Sequence, residues 1–204
     1  MKKNIIILVY GILLALISCK SEIRTPELEK HFSSNQISDV NKITEFFTEQ
    51  ICKNNKKSDF KSCFEKMLPE LVQNGWKPIR EIVDFEKQKE MYNSISNETF
   101  NEIWNYHKRQ NLTKEVEYNS IGINTSGKYM NYLEEIGSKN NYVAKYVEEI
   151  SASGDVPSRA SVQNHIFENP NDLNLMDHNI QVLIAINYLT QNNQQKQNKK
   201  SNEQ

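Results

Sequence analysis

The chain has 204 residues, a formal net charge of −1 and 37% apolar residues, a size that suits one domain with tails. A charge so near zero argues against a nucleic-acid partner or a polybasic membrane binder, because both need a clear excess of Lys and Arg. Six Gly and five Pro exclude a collagenous chain, and three Cys are too few for a disulfide scaffold and wrongly spaced for a zinc ribbon.

Lys2 and Lys3 make a basic start, and Ile5 to Ile17 then runs without a charge. That run is too short to span the roughly 30 Å hydrocarbon layer comfortably as a helix, and it fits the core of a signal peptide. It ends in Leu16-Ile17-Ser18-Cys19, which closely resembles the lipobox of bacterial lipoproteins. The resemblance covers these nineteen residues alone. It implies a signal peptide over 1–18 and a lipidated Cys19 at the mature N-terminus, held by two or three acyl chains. One chain anchors only marginally, at about 0.8 kcal/mol per buried CH₂, whereas two or three make attachment effectively permanent. Cleavage leaves 23 basic and 26 acidic side chains. Lys20 follows the Cys where an inner-membrane retention signal would resemble Asp, so the outer membrane is the expected location.

Residues 19–38 are polar, carry Pro26 and a Ser33-Ser34-Asn35 cluster, and read as a flexible tether. Residues 39–190 read almost wholly as helix. Val40, Ile43, Phe46, Phe47 and Ile51 form one apolar face. Ser58 is the expected cap of a second helix bearing Phe60, Cys63, Phe64, Leu68 and Leu71, with Pro69 expected to kink or restart it. Asn74-Gly75 ends that helix, and Pro78 opens a third that is expected to continue to about Ser94.

Ser96 or Asn97 caps a fourth, carrying Phe100, Ile103, Trp104 and His107. Thr113 to Thr125 keeps no single period and reads as loop or a short extended segment. Helices around Tyr129–Ile136, Tyr142–Ile150 and Val162–Phe167 follow. The last, from Ile180 to Leu189, is apolar on nearly all sides, which marks a central helix. Residues 191–204 hold five Gln, four Asn, three Lys and no apolar side chain, so a disordered tail is expected. The fold class expected is all-α: a single globular array of about seven or eight helices after the tether.

Once Cys19 is lipidated, Cys52 and Cys63 are the remaining thiols. They sit at the facing ends of a predicted helical hairpin, and an oxidising envelope would pair them. His165 and Glu168 lie three apart, with Asp172, Asp177 and His178 after them, but the set lacks the order and second copy of a di-metal bundle. They read as a solvated helix end, and His107 as a helix-surface or partly packed residue. The tyrosines 129, 132, 142, 146 and 188 read as core, with hydroxyls at the rim. There is no Gly-x-Ser-x-Gly elbow and no Gly-rich phosphate loop.

No catalytic, cofactor or metal residue is therefore assigned, and no cofactor is expected. The reading is a membrane-anchored binding module for an envelope protein or cell-wall component. Its rivals are a small envelope hydrolase with an unrecognised Glu or His site, and an immunity-type lipoprotein that blocks a toxin.

Overall fold

A computed structural model describes residues 22–53, 58–111, 116–157 and 161–203. Residues 1–18, expected to be a signal peptide, and Cys19 lie outside them. The described chain forms ten helices and one antiparallel hairpin. It is thus largely helical but not all-α.

The segment expected to be a tether is already folded from Thr25. Thr25 accepts a hydrogen bond from the Leu28 N–H and caps α1 (Pro26–His31), which buries Leu28. Ser33 and Gln36 make a reciprocal capping box at the start of α2 (Ser34–Ile51), satisfying two donors that a helix start leaves free. The tether assignment for 19–38 is corrected over this part, because Leu28 and Phe32 are core residues.

Asp59, not Ser58, caps α3 (Phe60–Asn74), and this helix runs through Pro69. Gly75 follows with φ +60°, a conformation that favours glycine. The expected third helix is two. α4 (Lys77–Ile82) stops at Val83, and Asp84 accepts from the N–H groups of Glu86 and Lys87 to start α5 (Phe85–Ser94). Ser96 caps α6 (Asn97–Ile103).

From Trp104 the chain leaves the helix. β1 (Trp104–Asn111) pairs antiparallel with β2 (Val116–Ile123), in a register that sets Trp104 opposite Ile123 and Tyr106 opposite Ile121. The expected helical placement of Trp104 and His107 is therefore wrong. At Gly122 the His107 ring lies so close that an added Cβ would meet it at 2.7 Å, which suits a residue without a side chain.

α7 (Lys128–Gly137), α8 (Asn141–Ser153) and α9 (Ser161–Glu168) follow, and α10 (His178–Glu203) closes the fold. The apolar half of α10 is central: Val182 to Leu189 are buried, and Tyr188 stacks on Phe47 of α2 with ring centroids 6.0 Å apart. The polar half is not a disordered tail. The helix continues unbroken, with Gln191, Asn192, Asn193 and Ser201 buried. Its amides take the place of apolar contacts. Asn192 donates to Gln88 of α5 at 2.6 Å, Asn193 accepts from the Ile121 N–H at 3.2 Å, and Gln194 donates to the Ile121 carbonyl at 3.1 Å. A buried polar group costs little once hydrogen-bonded, which is how a chain without apolar side chains joins the core.

Cys52, just after α2, is joined to Cys63 of α3 by the expected disulfide, with Cα atoms 5.4 Å apart. Closing so short a loop contributes about 3 kcal/mol in the chain-entropy model. No described helix is long and apolar enough to cross a membrane.

Candidate functional site

α8 and α9 approach each other through the Tyr142 and His165 rings, and the turn after α9 reaches the start of α8, where the Asn140 amide donates to the Asp172 carbonyl. Between them lies a polar cleft of about 360 Å³. Tyr142, Lys145 and Glu149 reach it from successive turns of α8, His165 and Glu168 from α9, and Asp172 from the turn. The spacing explains the convergence. Residues three and four apart share a helix face, so one face of each helix lines the cleft while Val143, Val147 and Val162 are turned into the core.

His165 is the centre of this arrangement. Its ring stacks on Tyr142 with centroids 3.9 Å apart. Its Nε2 lies 3.2 Å from an Asp172 carboxylate oxygen, and its Nδ1 lies 3.5 Å from the Asn169 amide. Both ring nitrogens thus face residues of the following turn. Burial pushes the Tyr142 hydroxyl up to about 12, despite Ser161 beside it. It stays protonated at neutral pH and can donate a hydrogen bond, but it is no base there.

The residues singled out in the sequence divide here. His165, Glu168 and Asp172 meet in the cleft, whereas Asp177 and His178 lie at the start of α10. His178 is buried, and that burial holds its imidazole below the usual value. Among the described residues no three His, Cys, Asp or Glu side chains gather as a metal site. His107 lies on β1.

Four of the five tyrosines are core, but their hydroxyls are not at the rim. Tyr132 donates to Asn179, Tyr146 to Asn187 and Tyr188 to Gln163, all buried, and Tyr129 is fully enclosed. Tyr142 and the buried Tyr146 both line the cleft, and of the two only Tyr142 is partly exposed. Lys145 and Glu149 were missed because a charged residue on an amphipathic helix reads as solvated surface. Only the packing of α9 turns that surface into a wall.

The fold and cleft define a largely helical domain with an open, mixed-charge groove. No family model, curated protein or solved structure matches this chain.

Proposed function

We propose that this protein is a lipid-anchored lipoprotein of the bacterial envelope that works as a binding module, with the α8–α9 cleft as its ligand site. The anchor rests on the lipobox-like Leu16-Ile17-Ser18-Cys19 and the basic and apolar run before it. Lys20 after the Cys supports the outer membrane rather than the inner.

The state of His165 carries the binding reading over the enzymatic one. A general base in nucleophilic catalysis needs one ring nitrogen directed at the nucleophile and the other at an orienting group. Here Nε2 has an Asp172 oxygen 3.2 Å away but no hydrogen bond, Nδ1 has the Asn169 amide at 3.5 Å, and among the described residues no hydroxyl or thiol bonds either nitrogen. The cleft offers a neutral phenol, a lysine and carboxylates, groups that can orient a polar ligand. A protein segment or a cell-wall component that carries both charges fits this lining.

Co-sedimentation with isolated cell-wall sacculi and pull-down from envelope extract test the reading together. Glu149 is half-exposed, so Glu149→Lys should leave the melting temperature unchanged. Retention by the protein or wall target should fall about tenfold, a loss of about 1.4 kcal/mol. Turnover of peptidoglycan, ester or peptide substrates by the parent protein, lost in His165→Ala, would establish the hydrolase instead.

A further inference from the structure

A two-stranded hairpin has two outer edges, and this fold treats them differently. On β2, Ile121 directs its N–H to Asn193 and its carbonyl to Gln194, both side chains of α10. Those amides stand in for a neighbouring strand and seal that edge.

Residues opposed in an antiparallel ladder either exchange both backbone bonds or turn both groups outward. Ile121 turns its groups away from β1, so its partner Tyr106 also turns its N–H and carbonyl outward, off the far edge of β1. The pleat repeats every two residues, so Lys108 does the same. Tyr106 is the most exposed large apolar side chain described, at 72%, and the Lys108 side chain is 80% exposed. An unpaired edge with an exposed aromatic is a template for strand addition.

We propose that this edge pairs with β1 of a second copy, antiparallel, about a two-fold axis through His107. The register follows from the side chains. Centred on His107, the pairing sets Tyr106 opposite Lys108 of the second copy, twice, with ring and ammonium on one face. Centred on Lys108, it would oppose two ammonium groups. Centred on Tyr106, it would bring Lys108 against Trp104, whose N–H already bonds the Phe100 carbonyl. A lysine on an edge strand ordinarily discourages pairing. In the His107-centred register it meets an aromatic ring instead. The two copies then share a four-stranded sheet through an isologous contact.

The test uses the full lipidated chain. The parent in detergent should have the mass of a dimer. In membranes, His107→Cys should cross-link under mild oxidation, since non-bonded antiparallel pairs lie about 4.5 Å apart at Cα, within disulfide reach. Asn119→Cys, exposed on β2 away from the seam, should not. Adding Lys108→Pro should cut the His107→Cys cross-link about tenfold without a change in melting, because proline there removes an outward N–H and no ladder bond. Tyr106→Lys, which opposes like charges across the seam, should do the same should the proline variant fail to fold. A monomeric parent overturns the proposal, as does equal cross-linking at Asn119→Cys or a cross-link that survives both edge variants. A His107→Cys cross-link to a different protein overturns it as well.

Discussion

Truncation after Thr190 is expected to unfold the domain or lower its stability by about 5 kcal/mol, a large share of what holds an ordinary domain together. The removed residues satisfy buried groups at three places: Gln88 Oε1, the Ile121 N–H and the Ile121 carbonyl. Each one left without a partner costs about 1–3 kcal/mol, and the hairpin also loses the helix against which it packs. Urea unfolding followed by circular dichroism measures the difference. Were residues 191–204 the disordered tail that their composition indicates, the truncated protein would unfold at the same urea concentration. The milder Asn192→Leu, which strips one buried partner from Gln88, should cost about 1–3 kcal/mol.

The second large effect is expected at Asp39. This carboxylate on α2 is 5% exposed and faces the start of α6. It accepts from the Ser96 N–H at 3.0 Å, from the Thr99 hydroxyl at 2.8 Å and from Lys42 at 2.9 Å. It thereby holds the start of α6 against α2. Asp39→Ala removes the acceptor of the Ser96 N–H and one of the two partners of the buried Thr99 hydroxyl, and should cost about 1–3 kcal/mol.

The same contacts set a pH dependence. Burial pushes the Asp39 carboxyl up, but the bonds from Ser96, Lys42 and Thr99 outweigh it and hold it below the usual carboxylate value. The native state therefore binds this proton more weakly than the unfolded chain does. The contribution is complete above the unfolded value of about 3.9 and is lost as pH falls through the lower native value. Parent and variant should converge in stability on acidification through that window. A gap that stays constant, or widens, would remove Asp39 from this role.

Some of the fold was legible because the signals were local. Asn74-Gly75, Ser96 and the Cys52–Cys63 hairpin were each read from a few neighbouring residues, and the apolar centre of α10 from its unbroken run. Other local signals were equally present and were passed over. Thr25-Pro26 is a cap followed by a first-turn proline, Ser33 and Gln36 have capping-box spacing, and Asp84 precedes an acidic first turn.

The hairpin was a different case. Phe100, Ile103, Trp104 and His107 fit a helical face, whereas Trp104 and Tyr106 alone fit a strand. The pairing with residues 116–123 decides between them, and no window shorter than the hairpin contains both strands. The polar half of α10 was least legible of all. Hydropathy measures apolar burial, and this segment is held by amide-to-backbone bonds whose partners lie more than 70 residues away. For the cleft, His165, Glu168 and Asp172 were visible as a cluster, but the wall supplied by α8 exists only after packing.

We propose that this domain acts from a lipid anchor at Cys19. Metabolic labelling with an alkyne fatty acid, followed by membrane fractionation of the parent and Cys19→Ser, tests it most directly. The expected result is a labelled parent in the membrane pellet, concentrated in the outer-membrane fraction, and an unlabelled variant that no longer sediments with membranes. An unlabelled parent, or a Cys19→Ser variant that labels and sediments as the parent does, would contradict it.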